Sequence, residues 1–283
     1  MGLRINTNIT SLAAQRTLGN TNRDQQLTLE KLSSGSRINR ASDDAAGLAI
    51  SEKLKAEIRG VKQAERNAND GISMVQTAEG GLNEVSSLLT RMRELAVQAA
   101  SDTVGQRERQ FTDLEYQNLK QEIERISQVT QFNGKRLLNG SGDVYDFQIG
   151  INNDDFQDRI HYNAQNTNSS IEHIGVADLA VSTSEGAQES LNIVDEAIQR
   201  VAGERAELGA VQTRLGSAIQ SLQVSSENLS AANSRIRDTD FAAETAKNTR
   251  LSILNQAGTA VLAQSNSVGG TSALKLIDRK SVV

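Results

Sequence analysis

The chain of 283 residues contains no cysteine, no proline and no tryptophan. Without cysteine it can form no disulfide, thiolate metal site or thiol nucleophile, and it can move between reducing and oxidising compartments without hazard. Without proline, long helices can run uninterrupted. Aromatic residues make up only 3% of the sequence, so any core must be aliphatic. Hydrophobic residues, at 37%, are below the usual share, which favours thin helical bundles over a thick globule.

Several functional classes lack their usual residues. The two histidines, His161 and His173, have no spaced His, Asp or Glu partners, and neither a phosphate-binding glycine loop nor an H-E-x-x-H motif is present. The carboxylates stand beside Lys and Arg on helix faces, as solvated ion pairs do. We therefore expect no enzyme, and no catalytic, cofactor-binding or metal-binding residues.

Membrane and nucleic-acid partners are not expected either. No apolar run of 18 residues predicts a membrane span, and no compact basic cluster with interleaved aromatics predicts nucleic-acid binding. The first ten residues lack the apolar segment of an ordinary secretory signal. Charge is unevenly spread: residues 1–43 and 240–283 together carry a net +5, whereas residues 44–239 carry −10. This contrast indicates different surroundings for the two parts.

The stretch 45–101 predicts one long helix. Its apolar residues recur at steps of three or four, the repeat of a coiled-coil seam, while charged residues occupy the other face. At about 1.5 Å per residue such a helix runs roughly 85 Å and needs partner helices to cover its stripe. The stripe consists of Leu54, Ile58, Val61, Ala64, Ala68, Ile72, Val75, Ala78, Leu82, Val85, Leu89, Met92 and Ala96.

Two further patterns supply the partners. Residues 108–129 predict a helix with an apolar side made of Phe111, Leu114, Leu119, Ile123, Ile126 and Val129. Residues 189–238 predict another, with one aliphatic residue in each of seven heptads: Val194, Val201, Leu208, Leu215, Leu222, Leu229 and Ile236. Between them, Asn133-Gly134 predicts a turn, residues 143–163 a small β-hairpin, and the polar stretch 164–188 a loop with at most short elements.

The two ends carry thinner apolar stripes. Residues 1–32 and 239–268 have helical spacing but few large aliphatic residues, so each would be marginal alone and is expected to order only against a partner. By position and composition, each end is the expected partner of the other. The serine- and glycine-rich stretch 33–43 is expected to be the linker between the first helix and the long one.

Several runs resemble bacterial flagellin in the order expected for that family. They are Asn6 to Leu12 (NTNITSL), the run LSSGSRIN, Ser42 to Gly47, Arg93 to Gln98, Gln131 to Gly134, and the stretch from Asp240 to Ala260. The resemblance covers nearly the whole chain. The end departs from the family pattern: Gly269-Gly270 stands where flagellins usually have a proline, and Asp278 to Val283 runs past the usual finish.

The resemblance implies a mainly α fold: a long-helix coiled-coil bundle with a small β-hairpin and a discontinuous two-domain architecture whose terminal segments are paired. Residues 1–43 and 240–283 would form the terminal domain lining an inner tube. Residues 44–239 would form the bundle domain, with the hairpin near 143–163 and no inserted outer domain.

The function implied is that of a subunit that self-assembles into the extracellular flagellar filament, the propeller of bacterial motility, after unfolded export through the flagellar type III apparatus. Implied partners are other copies of the chain, an export chaperone, a cap protein and hook-junction proteins. The residues expected to pack in the filament are Ile5, Ile9, Leu12, Leu29, Leu32, Leu251, Leu254, Val261, Val268, Leu274 and Leu276. A hook-associated junction protein and, in another class, a non-flagellar coiled-coil scaffold remain alternatives.

The resemblance also implies an innate-immune contact. Arg91, Leu95 and Glu115 match positions through which one group of flagellins engages a Toll-like receptor. The ordinary interpretation of the same residues is two solvated helix charges and one partly buried core residue.

Overall fold

The computed structural model describes residues 8–278, with side chains described as far as residue 267. The predicted fold class is confirmed: long helices dominate and a small antiparallel strand pair accompanies them. In chain order the elements are α1 (Ile9–Ser34), α2 (Ala45–Ala100), α3 (Gln106–Val129), β1 (Gln131–Phe132), β2 (Lys135–Arg136), β3 (Val144–Gln148), β4 (Arg159–Asn163), α4 (Ile171–Ile174), α5 (Ser184–Arg237) and α6 (Phe241–Asp278).

The chain divides into two compact units. Residues 8–56 and 229–278 form the terminal unit, and residues 57–228 form the central unit. This division falls inside α2 and α5, whereas the domain bounds predicted from the sequence, at 43/44 and 239/240, fall near helix ends. Those bounds concern the domains of an assembled tube and stay a prediction.

The stripe predicted on α2 is the core of the central unit. Its members from Val61 onward are buried, with Ile72 half-buried. On α5, Val194, Val201, Leu208 and Leu215 are buried too, as their heptad spacing predicts. At the start of α2, the Asp44 Oδ1 accepts the Gly47 N–H at 2.8 Å, which caps a free backbone donor of the first turn.

The stripe predicted on α3 is wrong in part. Phe111 and Leu114 are each 67% exposed, and Val129 is exposed as well. Ile123 is buried as predicted, and the other buried residues of α3 are Arg109, Thr112, Tyr116, Lys120 and Ser127.

This face can be buried because its charged ends are satisfied. The Arg109 Nε donates to the Ala99 carbonyl at 2.9 Å, and the Lys120 Nζ donates to the Leu179 carbonyl at 3.0 Å. The aliphatic stems of Arg and Lys therefore pack in the core while their heads bond to backbone carbonyls. A count of apolar residues cannot detect a face of this kind.

The predicted turn and hairpin are both present. Asn133 and Gly134 have φ values of 49° and 76°, the left-handed pair that a two-residue type I′ turn requires, and they join β1 to β2. β3 and β4 pair antiparallel, with Tyr145 opposite Tyr162, and the two rings stack in the core with centroids 6.2 Å apart.

The stretch 164–188 is more tightly packed than its polar composition predicts. It contains the short α4, and α5 begins at Ser184, earlier than the predicted 189. Thr167 and Ser169 are buried: Tyr162 Oη donates to Thr167 Oγ1 at 3.0 Å, and the Ser169 N–H donates to the Leu138 carbonyl at 2.9 Å. The polar groups of these two residues are therefore satisfied inside the central unit rather than by solvent.

Candidate assembly surface

In the terminal unit, α1 and α6 pair antiparallel along most of the length of α1. Near one end, Asn8 Nδ2 donates to the Ser265 carbonyl at 3.0 Å, and Ser11 Oγ donates to Asn266 Oδ1 at 2.7 Å. Further along, Gln25 Oε1 accepts from Asn255 Nδ2. The predicted pairing of the two ends is confirmed.

The seam between these helices is largely polar. Thr28 Oγ1 on α1 and Asn248 Oδ1 on α6 are buried, and neither has a hydrogen-bond partner within the described part of the chain. A buried polar atom without a partner costs about 1–3 kcal/mol. Leu251, at 9% exposure, is the predicted packing residue that the seam does bury. The pair is therefore held much less firmly than an aliphatic coiled coil would be.

Most of the predicted packing residues whose side chains are described point outward instead. Ile9 is 68% exposed, and Leu12, Leu29, Leu254 and Val261 are exposed too, while Leu32 is half-buried. Within the described residues, the terminal unit thus carries its apolar residues on the outside of the helix pair. Such side chains are available to a neighbouring molecule.

Some predicted residues cannot be placed, and some exposed ones were missed. Ile5 lies outside the described residues; Val268, Leu274 and Leu276 lie in α6, but their side chains are not described. The prediction missed Leu27, Phe241 and Ile253, which are also exposed apolar residues of this unit. Extending the stripe by one residue to either side would have found Ile253 next to Leu254.

In the central unit, the three residues matched to a receptor contact have different exposures. Arg91 and Glu115 are exposed and joined by a short ion pair, with Arg91 Nε 3.0 Å and Nη2 2.9 Å from Glu115 Oε1. The hydrogen bond to Glu115 raises the pKa of Arg91. Leu95, in contrast, is only 2% exposed and belongs to the core.

The hairpin brings His161 beside two carboxylates. His161 stands directly opposite Asp146 across the β3–β4 ladder, with its Nδ1 2.6 Å from Asp146 Oδ1 and its Nε2 3.7 Å from Asp155 Oδ2. The hydrogen bond to Asp146 raises the pKa of His161. Grouped residues able to hold a metal ion are absent from the part of the chain that the structure describes.

A second titratable group with a raised pKa, Glu204, is buried close to Tyr162 of the hairpin. Glu204 on α5 is 9% exposed, and its Oε2 has no hydrogen-bond partner within residues 8–267. Burial, reinforced by the charge of Glu207, raises the pKa of Glu204 to about 8. Among the described residues, no helix is both long and apolar enough to cross a membrane.

Two family models match the chain. The model of the bacterial flagellin N-terminal helical region matches residues 5–143, and the model of the flagellin C-terminal helical region matches residues 191–271. These matches cover both paired ends of the terminal unit and most of the long helices.

Curated relatives match over nearly the full length. A flagellin of Halalkalibacterium halodurans is 47% identical over 262 residues, which cover 93% of this chain and 95% of the relative. The flagellar filament 33 kDa core protein of Treponema phagedenis is 43% identical over 276 residues, with 93% and 96% covered. A flagellin of Bacillus subtilis is 42% identical over 294 residues, again with 93% and 96% covered.

Solved structures share the architecture. Bacillus cereus flagellin aligns with a TM-score of 0.50 at 28% identity, covering 59% of this chain and 94% of that chain. A putative flagellar hook-associated protein of Vibrio parahaemolyticus aligns with a TM-score of 0.57 at 16% identity, covering 69% and 100%. The second likeness concerns the fold alone.

Proposed function

This chain belongs to the bacterial flagellin family and is a structural, non-enzymatic subunit of the extracellular flagellar filament, and we propose that the outward apolar residues of α1 and α6 form its subunit contacts. The observation that carries this proposal is the exposure of Ile9, Leu12, Leu254 and Val261 on helices whose mutual seam is polar. The relatives named flagellin do not favour the junction-protein or scaffold alternatives.

The energetics favour ordering on assembly. Full burial of one Val, Leu or Ile side chain stabilises by about 1.5–3 kcal/mol relative to exposure. In the free chain the outward residues are 48–68% exposed and gain only part of this, and the polar seam contributes little. Neighbouring copies would supply the missing burial, which offsets the entropy of ordering two long helices. A head-to-tail contact that does not close on itself then extends into a helical filament.

We also propose the assembly domains and partners that the resemblance implies. Residues 1–43 and 240–283 line the inner tube, and residues 44–239 form the outer tube. The net charges of +5 and −10 on these two parts support different surroundings for them. Export proceeds unfolded with a chaperone, and addition at the tip involves a cap protein and hook-junction proteins.

Seeded growth tests the assembly role. Purified chain added to filament fragments should lengthen them, as followed by electron microscopy and light scattering. A chain lacking residues 1–32 should not elongate the seeds, while its central unit keeps its helical circular dichroism and cooperative unfolding. Elongation by the truncated chain would contradict the proposed contacts, and small closed oligomers of the intact chain would favour a scaffold.

A point variant sharpens this test. Val261→Ser removes one outward side chain from α6, and Gln256→Ser, at an exposed position on another face of the same helix, is the matched control. We expect Val261→Ser to raise the critical concentration for elongation several-fold, because each loss of about 1.4 kcal/mol in the free energy of subunit addition raises that concentration tenfold. The control should elongate like the parent chain; equal elongation by both variants would count against a contact at Val261.

A Toll-like receptor contact at Arg91 and Glu115 is a second proposal, and it rests on the exposure of their ion pair. Leu95 would act from the core, by holding the α2 surface in place, rather than by touching the receptor. Arg91→Ala and Glu115→Ala should weaken receptor activation in a reporter-cell assay without changing chain folding. Unchanged activation by both variants would remove this proposal.

A further inference from the structure

A short backbone bridge closes the base of the α1–α6 pair. We define the base clasp as residues 35–38 together with residues 236–239. The Arg37 N–H donates to the Arg237 carbonyl at 2.6 Å, and the Thr239 N–H donates to the Gly35 carbonyl at 3.0 Å. Ser36 and Asp238 form an isolated antiparallel bridge between these two bonds. Segments some 200 residues apart in the sequence are therefore joined where α1 ends and α6 begins.

The clasp is anchored on both sides. Gly35 ends α1 in the left-handed conformation, with φ at 67°, which turns the chain into the bridge without the steric cost that a β-carbon would bring. Ile38, at its other end, is buried against Gly47 at the start of α2. The Arg37 Nη2 adds a bond to the Ile236 carbonyl at 2.7 Å. The stretch 33–43, predicted to be a linker, is thus a folded connection.

The hydrogen bonds that cross the seam, such as those of Asn8, Ser11 and Gln25, come from flexible polar side chains and fix the axial position of one helix against the other only weakly. Thr28 and Asn248 have buried oxygen atoms without partners in the described chain, and Gly258 presents no side chain to Leu18. Interlocking aliphatic residues, which define register in most coiled coils, are few along this seam. Backbone bonds at a fixed place in each chain are directional and define one register.

We propose that the base clasp, rather than the seam, sets the register of α1 against α6. A fixed register keeps the outward apolar residues of the two helices at constant axial positions, so that they present one composite surface to a second copy of this chain. This last consequence rests on the proposed function, whereas the register can be trapped in the free chain each time the two helices pair, without filament growth.

The absence of native cysteine allows a direct measurement of register by disulfide trapping. A β-carbon placed on Gly258 would lie 4.0 Å from the Leu18 β-carbon, within the range of a disulfide. Leu18→Cys with Gly258→Cys therefore reports the observed register. Leu18→Cys with Ser265→Cys reports a register shifted by one heptad. Each pair is equilibrated in a glutathione redox buffer, and the disulfide-bonded fraction is measured by mass spectrometry.

The clasp is then opened in both reporter backgrounds by Thr239→Pro, which removes the donor N–H, with Thr239→Ala as the control that keeps it. A second pair, Arg37→Pro and Arg37→Ala, tests the other backbone bond: both variants lose the Nη2 bond, and only the proline variant also loses the backbone N–H. The usual net contribution of one hydrogen bond implies that the ratio of observed to shifted disulfide falls by about fivefold in each proline variant. Thr239→Ala and the seam variant Gln25→Ala/Asn255→Ala should keep the ratio of the parent chain. Arg37→Ala, which loses only the Nη2 bond to the Ile236 carbonyl, should keep a higher ratio than Arg37→Pro.

Three results would overturn the proposal. The first is an unchanged ratio of observed to shifted disulfide in both proline variants. The second is a lowered ratio in the seam variant, and the third is a parent chain with no preference for the observed register. Urea unfolding of the central unit, followed by circular dichroism, identifies any variant that fails to fold, and the second proline variant then carries the test. Failed seed elongation by chains whose disulfide ratio is normal would count against the subunit contacts, not against the clasp.

Discussion

Replacing Glu204 by glutamine should stabilise the chain at neutral and mildly alkaline pH and leave it unchanged in acid. The carboxyl is buried between α5 and the hairpin region, close enough to Tyr162 to influence its ionisation. The backbone N–H of Asn168 bonds to it, but Oε2 has no partner among the described residues, and Glu207 adds a repulsive charge. Burial therefore favours the neutral acid, and glutamine is a neutral side chain of the same shape.

The sign follows from proton linkage. The folded chain binds the proton of Glu204 up to a pKa of about 8, whereas the ordinary value is 4.5. The stability linked to this group is complete below pH 4.5, declines as pH rises to about 8, and then stays constant. At about 1.4 kcal/mol per pH unit the upper limit of the loss is roughly 5 kcal/mol. Because even buried sites in proteins behave as if their effective dielectric constant were about 20, we expect a smaller loss of about 2 kcal/mol.

The assay is urea unfolding of the free chain by circular dichroism at pH 4.5, 6.5 and 8.5 (flanking and bisecting the titration). The difference between Glu204→Gln and the parent should be near zero at the lowest pH and about 2 kcal/mol in favour of the variant at the highest. Glu227→Gln, at an exposed position of the same helix, is the control and should change little at any pH. Destabilisation by Glu204→Gln, or a gain independent of pH, would refute the reasoning.

Three further predictions concern the central unit. Leu89→Ala, at a fully buried position of α2, should lower the free energy of unfolding by about 2–5 kcal/mol in urea, and a loss below 1 kcal/mol would mean that the site collapses freely. Gly134→Ala should destabilise by about 1 kcal/mol, because alanine is strained at the φ of 76° in the turn; an unchanged melting temperature would contradict this. The raised pKa of His161 implies that its pairing with Asp146 stabilises the hairpin in acid and is lost as pH rises through that pKa. His161→Gln should remove that pH dependence from hydrogen exchange of β3 and β4, and a dependence that persists would implicate another group.

The parts of the fold that follow from aliphatic spacing could be predicted from the sequence. The α2 stripe and the first heptads of α5 are buried as expected, because each aliphatic residue there has a partner helix to pack on. The Asn133-Gly134 turn was predictable since both residues tolerate positive φ.

The rest depended on contacts that a hydrophobicity pattern does not contain. On α3, Arg109 and Lys120 replaced the expected Phe111 and Leu114 in the core, since backbone carbonyls from other segments accept their head groups. In the terminal unit, most of the predicted apolar residues that are described face outward, because the seam between α1 and α6 is made largely of polar residues. A helix with few apolar residues can bury either of two faces, and its partner helix decides which one. That choice cannot be predicted from the sequence of the one helix alone.

Helices α1 and α6 are expected to become stably ordered only when copies of the chain assemble. Hydrogen–deuterium exchange of residues 8–34 and 241–267, compared between the free chain and seeded filaments, tests this most directly. We expect fast exchange of both segments in the free chain and strong protection in the filament, with residues 75–96 of α2 protected in both. Strong protection of both terminal segments in the dilute free chain, unchanged on assembly, would contradict it.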